Sequence, residues 1–272
     1  MIDWRHWHNE PYLVGGLVFL GWLWAVLAGP LRMRLVQRTE GPTREGVAGV
    51  PFPRAQAAMF YASLVIFYLA VGSPLDQMGE RFLLSAHMVQ HQLIIYPAAV
   101  LFLLGLPAWL VRPVTARPGL RRLLRVLTNP VVCGLVYVVT LSVWHAPALY
   151  VWALDNRVVH IAEHVTFFGA ALFYWWPLVS PSAEFPPLPI GAQFLYLLAV
   201  IIGSIPVFGY LALFSNVAYS TYEFAPRLFA NFTPRADQLL AASLMELVGT
   251  AVVFIVSAAA FFRWDRDGEK RG

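Results

Sequence analysis

Long apolar runs dominate the chain, and within each run the hydrophobic positions follow one another instead of alternating with polar ones. Crossing about 30 Å of hydrocarbon takes about 20 residues of α-helix. Seven runs approach or exceed this length: 12–30, 55–72, 82–105, 130–146, 158–178, 191–213 and 238–262. Continuous hydrophobicity argues against membrane strands. The predicted fold class is therefore all-α, a polytopic membrane bundle of seven transmembrane helices forming one domain over residues 1–272.

Composition supports a membrane protein and excludes a soluble globular one. Hydrophobic residues make up 59% and charged residues 12% of the 272 residues, and this charged share is about half of that usual in a soluble domain. The single cysteine, Cys133, rules out an intramolecular disulfide and a CxxC metal motif. The Pro-rich stretch 180–189 predicts a loop between the fifth and sixth spans.

Basic residues are distributed unevenly between the two sides of the seven-span arrangement. Of the 19 lysines and arginines, 14 lie in segments 31–54 and 106–129 and in the C-terminal tail, which share one side. Because basic loops mark the cytoplasmic side, the N-terminus is predicted outside and the C-terminus in the cytoplasm. Most acids beyond the spans, Asp76 and Glu80 among them, fall on the outer side. The basic loops are interpreted as a signal of membrane topology, and no nucleic-acid partner is predicted. The predicted partner of these segments is the lipid bilayer.

Five of the seven histidines lie in the predicted spans, all in the outer half of the bilayer. His87 and His91 fall about 7 and 14 Å below the outer end of the third span, at about 1.5 Å per residue. His145 ends the fourth span, and His160 and His164 occupy the first two turns of the fifth. Three consecutive helices thus carry imidazoles at similar depth.

Histidine spacing places two imidazoles on one face of each of two helices. The pairs on the third and fifth spans are both i, i+4, which is the spacing of neighbours on a helix surface. Pro97 removes a backbone hydrogen bond, so a kink is predicted just below His91. Polar residues in hydrocarbon usually face a bundle interior. Since imidazole is the commonest metal ligand, two pairs together with His145 predict a metal or haem site. The other two histidines, His6 and His8, accompany tryptophans and indicate an interfacial belt.

Copper is the metal that best suits imidazole with thioether support. Six further residues are predicted to support such a site: Met88, Met245, Glu163, Glu246, Asp76 and Asp237. Among them, Met88 points about 100° away from its neighbour His87 around the helix. The outer carboxylates are expected to raise the local cation concentration, and Glu163 is expected to orient a ligand histidine.

Other chemistries stay open at this point. Residues 160–164, HIAEH, match the H-x-x-E-H signature of inverted zinc proteases, although here the motif lies inside a membrane span. A haem b with one axial histidine from each of two helices, such as His91 and His164, is a second alternative. A third is a metal-free bundle whose histidines bridge helices by hydrogen bonds.

Six motifs occur in order along the chain: SPLD (73–76), SAHMVQH (85–91), Pro-x₇-Gly-x-Pro (97–107), WHAPALY (144–150), HIAEH (160–164) and FYWWPL (173–178). Together they closely resemble the multi-spanning CtaG family of cytochrome c oxidase assembly factors, over about residues 55–262. The resemblance implies a multi-pass protein of the bacterial plasma (inner) membrane that is needed to make active haem–copper oxidase. Copper handling for oxidase metallation is its implied task, and the chain is expected not to be an enzyme.

The resemblance also implies which positions of this chain are functional residues of the family. The family's recurring residues correspond to His87, His91, His145, His160, His164, Asp76, Asp237, Gln238 and Met245. The chain departs from the family after this methionine, where Glu246 replaces the usual tryptophan. The resulting hypothesis is an outward-facing copper pocket, loaded by an extracytoplasmic copper donor and emptied toward a haem–copper oxidase subunit. A metal-free scaffold for oxidase assembly is the alternative within the same family.

Overall fold

The computed structural model describes residues 4–5, 7–40 and 51–269, with side chains described except at 38–40, 260 and 263–269. Over these residues the chain forms helices and no strands. In chain order the α-helices are α1 (Pro11–Ala28), α2 (Arg32–Glu40), α3 (Arg54–Gly72), α4 (Pro74–Arg81), α5 (Leu84–Leu93), α6 (Ala99–Leu104), α7 (Ala108–Thr115), α8 (Arg121–Leu127), α9 (Pro130–Trp144), α10 (Pro147–Asp155), α11 (Arg157–Val179), α12 (Ile190–Leu213), α13 (Ser220–Glu223) and α14 (Pro234–Glu269). The predicted all-α class is confirmed.

Five helices of the described chain are long and apolar enough to cross a membrane: Pro11–Ala28, Arg54–Gly72, Leu84–Leu104, Ile190–Leu213 and Pro234–Ala259. A sixth span results if Pro118–Leu127 and Pro130–Trp144, bent by 58° from one another, are taken together. Helix α11 has the length, with 23 residues, but it is more polar because His160, Glu163 and His164 lie in it. The chain is thus a helical membrane protein, while the count of seven spans stays a prediction.

The orientation of the termini also stays a prediction. Part of the basic pattern that supports it, including Arg44, Lys270 and Arg271, lies outside the described residues, as does His6 of the proposed interfacial belt. The segments 31–54 and 106–129, which the sequence pattern treats as loops, contain α2, α7 and α8. These helices have nine residues or fewer, and α2 and α8 carry three arginines each, so a search for long apolar runs passes over them.

Helix α5 continues into α6 through a π-helical turn at Ile94–Ala98. This turn contains Pro97 and lies just below His91, where the sequence predicts a kink. Because proline has no N–H, one carbonyl of the preceding turn loses its helical partner. Trp175 of α11 donates its Nε1–H to the carbonyl of Ile95 at 2.7 Å. The interruption is therefore tied to α11, the other helix with a histidine pair.

The packing order brings the histidine-bearing helices together. Helix α5 packs against α4 on one side and α14 on another, while α11 packs against α9, α6 and the π-helical turn. A large apolar cluster, which includes Ile95, Phe167 and Trp175, is buried between these helices. The ring of Phe167 lies 4.2 Å from the ring of His91, between centroids. The cluster thus forms an apolar boundary to the space that the histidines share.

Gly79 lies where α4 crosses α5 closely. A Cβ at this position would overlap Oε1 of Gln90 and lie 3.0 Å from the Cα of His87. We expect Gly79→Ala to force the two helices apart and to lower the unfolding free energy by about 1–3 kcal/mol, measured as a lower melting temperature in detergent. The matched control is Gly169→Ala on α11, where a Cβ has no atom within 4 Å. Equal melting temperatures for both variants would contradict the close approach.

Candidate metal centre

His87 and His91 face the bundle interior from adjacent turns of α5. The helix begins at Leu84 because the Asp237 carboxylate of α14 accepts hydrogen bonds from the N–H groups of Leu84 and Ser85. Spacing by four residues then places both imidazoles on one face, with ring centroids 4.4 Å apart. Their exposed fractions are 0% and 1%, so both rings are withdrawn from lipid and water.

Helix α11 contributes His160, Glu163 and His164 from its first two turns. Asn156 caps this helix, since its Oδ1 accepts from two backbone N–H groups of the first turn at 3.0 and 3.2 Å. The rings of His160 and His164 lie 4.4 Å apart between centroids. Glu163 is fully buried. The predicted shared face of the HIAEH segment is therefore turned into the bundle.

His145 reaches the same space from the end of α9. Its Nδ1 donates to the carbonyl of Leu141 at 2.7 Å, and this leaves the lone pair on Nε2. The Nε2 atom has no hydrogen-bond partner, and the ring lies 5.9 Å from that of His91. Tyr219 donates its hydroxyl to the backbone carbonyl of His145 at 2.9 Å. A third helix thus presents a free imidazole nitrogen beside the α5 pair.

Four of these side chains form what we call the inner group: His87, His91, Glu163 and His164. One donor atom of each lies within 4.8 Å of the others. Oε1 of Glu163 is 3.5 Å from Nε2 of His87 and 3.5 Å from Nε2 of His91. Ligands arranged tetrahedrally at about 2.0–2.1 Å from an ion are about 3.4 Å apart. A small inward shift of the side chains would therefore complete a coordination shell.

The polar atoms around this space lack hydrogen-bond partners among the described residues. They are both ring nitrogens of His87 and His91, Nε2 of His145, His160 and His164, and both carboxylate oxygens of Glu163. Buried polar atoms are normally paired, and each unpaired one costs about 1–3 kcal/mol. A bound cation would satisfy several of these nitrogens and oxygens at once. The donor set, three imidazoles and a carboxylate, therefore fits a transition-metal ion.

A second polar group adjoins His160 on the side of α4. The Nδ1 atom of His160 lies 2.7 Å from Oε1 of Glu80, and its Nε2 lies 4.0 Å from Oδ1 of Asp76. Gln90 donates to the same Asp76 oxygen at 2.7 Å. The other oxygen of Asp76 lies 3.4 Å from Nε2 of His8. Three carboxylate or imidazole side chains of the N-terminal segment and α4 thus border the histidines.

Burial and neighbouring charge have opposite effects on the pKa values of the two carboxylates of α4, Asp76 and Glu80. Burial raises the pKa of Asp76 above its usual value and outweighs the positive charge of His160. Burial also acts to raise the pKa of Glu80, but the hydrogen bond from His160 and its charge more than offset this, so the pKa of Glu80 is lowered. Glu80 is therefore ionised and accepts the Nδ1–H of His160. A metal ion that displaces the second proton of His160 would bind at its Nε2.

Two of the predicted supporting residues, Met88 and Asp237, have structural roles outside the inner group. Met88 is fully buried in an apolar cluster with Tyr150, Tyr219 and Tyr222, on a different face of α5 from the histidine pair. Asp237 is the cap of α5 described above. The structure therefore brings neither a thioether from Met88 nor the Asp237 carboxylate into the inner group, whereas Glu163 lies within it and Asp76 lies beside it.

Met245 and Glu246 of α14 lie near His91. Both line a small cavity that also reaches His91, Gln92 and Tyr96. Among the described residues, Glu246 belongs to none of the histidine and carboxylate groups whose donor atoms lie within 4.8 Å of one another. These two supporting residues are thus near the histidines but outside the inner group.

Glu80 and His8 contact the site although neither was predicted from the sequence to do so. The sequence pattern predicts that His8 belongs to an interfacial belt with Trp4 and Trp7, and those tryptophans are exposed as expected. His8 itself is only 9% exposed and lies against Asp76. For Glu80 a signal existed, because it follows Asp76 by four residues and so shares its face of α4. No sequence signal connects His8 with α4, since that contact depends on how the N-terminal segment folds back.

A known protein family matches nearly the whole chain. The model of the family described as cytochrome c oxidase caa3 assembly factor (Caa3_CtaG) matches residues 13–267. No curated protein and no solved structure matches the chain. The family resemblance inferred from six short motifs is confirmed, and it extends beyond the range 55–262 at both ends. The chain therefore belongs to the cytochrome c oxidase caa3 assembly factor family.

Proposed function

We propose that the chain binds a copper ion in the inner group and passes it to a haem–copper oxidase during assembly. The observation that carries this proposal is the convergence of unpartnered, buried donor atoms from α5 and α11 in a member of an oxidase assembly family. Copper is cargo in this proposal. The chain captures and releases the ion by ligand exchange and catalyses no reaction of its own.

Copper is favoured by the donor types and by the product of the assembly process. Imidazole nitrogens bind copper, zinc, iron and nickel alike. The ligands alone therefore do not select one of these metals. Cytochrome c oxidase contains copper, and an assembly factor for it has a reason to hold that metal. Glu163 supplies one negative charge in a space withdrawn from water, which offsets part of the cost of burying a cation.

A haem held between His91 and His164 fits this geometry less well. Their ring centroids are 5.9 Å apart, a separation that would suit two axial ligands. A porphyrin, however, is flat and needs an open slot around the line that joins them. The rings of His87 and Phe167 lie 4.4 and 4.2 Å from the ring of His91 and occupy this surrounding space. We therefore propose copper instead of haem b.

The unpartnered nitrogens also favour a metal site over a metal-free scaffold. Histidines that hold helices together do so through hydrogen bonds, and His145 makes such a bond through Nδ1 only. Both ring nitrogens of His87 and of His91 have no hydrogen-bond partner in the described part of the chain, and only their Nε2 atoms approach a carboxylate, that of Glu163 at 3.5 Å. A purely structural pair would leave these groups desolvated without compensation.

The proposed setting follows from the basic residues and from the family. The chain spans the bacterial plasma membrane several times, with the histidines nearer the outer surface. An extracytoplasmic copper donor then meets the side of the bundle that carries α4 and the N-terminal segment. The recipient is a membrane subunit of a haem–copper oxidase, reached within the bilayer.

Metal content tests the proposal directly. We expect purified wild-type chain, loaded with copper and freed of excess ion, to retain copper by mass spectrometry, and His87→Ala/His91→Ala to lose one ion per chain. The loss follows because two of the three imidazoles of the inner group are removed. Met88→Leu is the matched control, since it lies between the two histidines on α5 but outside the group. Iron as the bound metal would indicate haem, zinc would indicate a hydrolase, and equal copper in wild type and double variant would contradict the proposal.

A further inference from the structure

We propose a second cation site, the outer site, formed by Asp76, His160 and His164, where an ion is held before it moves to the inner group. This inference rests on the proposed function for its role, but the site itself is argued from geometry alone. It assigns metal binding to α4, a helix that lies between two spans. It also gives His160, which is not part of the inner group, a ligand role of its own.

The three side chains form a compact and buried set of donors. One atom each of Asp76, His160 and His164 lies within 4.8 Å of the others. Their exposed fractions are 2%, 4% and 5%. Nε2 of His160 and Nε2 of His164 have no hydrogen-bond partner in the described chain. A cation at this point would satisfy both nitrogens and neutralise the carboxylate.

Neighbouring groups hold two of these ligands in place. The Glu80 carboxylate accepts the Nδ1–H of His160 at 2.7 Å, which orients the ring and leaves Nε2 as the donor nitrogen. Gln90 donates to Asp76 at 2.7 Å and to the carbonyl of Ala70 at 3.0 Å, so the carboxylate is anchored to α3. Partners of this kind orient metal ligands and raise the basicity of histidine. The outer site is therefore preorganised.

Access distinguishes the outer site from the inner group. A cavity of about 460 Å³ between α1, α3 and α11 is lined by Asp76, His160 and His164 but by neither His87 nor His91. Most of its lining residues are apolar, and among the few polar ones Glu10 and Arg157 form an ion pair. An ion arriving through this cavity meets the outer site first.

One shared ligand joins the two sites. His164 belongs to both sets of donors, and the ring of His160 lies 5.9 Å from that of His87. An ion therefore moves inward by exchanging Asp76 and His160 for the α5 pair. The inner group has three imidazoles where the outer site has two, and copper prefers nitrogen to carboxylate oxygen. The direction of transfer is thus from outer to inner.

Asp76→Asn tests the outer site with little change in shape. The amide oxygen still accepts the hydrogen bond from Gln90, while the negative charge is lost. When both sites are filled, the available nitrogen of His164 binds only one of the two ions, and Asp76 and His160 then hold the outer one. We expect the full chain titrated with Cu²⁺ to bind two ions in wild type and one in Asp76→Asn, by mass spectrometry after removal of excess ion. Two Cu²⁺ ions in neighbouring sites that adjoin the same His164 side chain would lie close enough to couple magnetically. The electron paramagnetic resonance spectrum should therefore show coupling in wild type and none in Asp76→Asn or in His87→Ala/His91→Ala.

Asp155→Asn is the matched control, because it removes an exposed carboxylate and should keep two coupled ions. Two ions retained in Asp76→Asn would overturn the outer site. A single ion in wild type that His87→Ala/His91→Ala loses and Asp76→Asn keeps would also overturn it, with the proposed function intact. A single ion lost only in Asp76→Asn would support the outer site and refute the inner group. Binding of no ion would refute both.

Discussion

Cells whose only copy of this chain carries His87→Ala and His91→Ala are expected to lose oxidase activity at least tenfold, while the chain still inserts into the membrane. The reason is that the inner group is left with one imidazole and one carboxylate, too few to retain a transition-metal ion in competition with other sites. Insertion depends on the apolar helices, which the two substitutions make more apolar. Oxidase activity and the amount of the chain are measured in the same membranes, with Met88→Leu as the control.

A loss of packing must be separated from a loss of copper. Removing two buried imidazoles leaves empty space, and such cavities destabilise a core. Glu163→Gln keeps the volume of the side chain and removes its charge, so it should also lower oxidase activity at an unchanged chain level. Excess copper in the medium should partly restore activity in this variant if copper supply is what it lacks. Normal oxidase activity in the double variant, or no response to copper in Glu163→Gln, would contradict the proposed delivery.

Asp237→Ala is expected to destabilise the chain by about 2–4 kcal/mol, seen as a lower melting temperature in detergent. The Asp237 carboxylate is 3% exposed and accepts hydrogen bonds from the backbone N–H groups of Leu84 and Ser85 at 2.6 and 3.1 Å. The Ser85 hydroxyl donates to it as well. Removing the carboxylate leaves buried donors unpaired at the start of α5 and breaks its link to α14.

Asp237→Asn should have a smaller effect, since one acceptor oxygen remains. Asp155→Ala serves as the control, because Asp155 is exposed and exposed substitutions are usually within about 0.5 kcal/mol of neutral. A melting temperature of Asp237→Ala equal to that of Asp155→Ala would show that the cap contributes little. Because α5 carries the histidine pair, copper retention should fall together with the melting temperature in Asp237→Ala.

The inner group was largely predictable from the sequence, and for a specific reason. Polar residues are costly in hydrocarbon, so His87 and His91 stand out in an otherwise apolar helix, and spacing by four residues puts them on one face. The same holds for His160 and His164. Equal depth in adjacent spans then predicts that the pairs meet. His145 was found in the same way, at the end of its helix.

Other roles were not predictable from the same pattern. Asp237 looks like any outer carboxylate in the sequence, and only the crossing of α14 over the start of α5 makes it a helix cap. Met88 follows His87 directly, yet it points into an apolar cluster of tyrosines. Glu80 lies between two predicted spans and His8 lies before the first one, where side chains are usually solvated, so the hydrophobic pattern did not mark them as buried. In each case the role depends on which other helix the side chain meets.

What the sequence by itself determined is the class of the protein, an all-α membrane bundle, and the shared helix face of each histidine pair, because hydrophobicity and helical periodicity are local properties. The tertiary structure decided which donors meet: Glu163 within the inner group, Asp76 with His160 beside it, and Glu80 on the far side of that ring. These contacts join residues far apart in the chain. They depend on how α4, α5 and α11 rotate and cross, which no local pattern specifies.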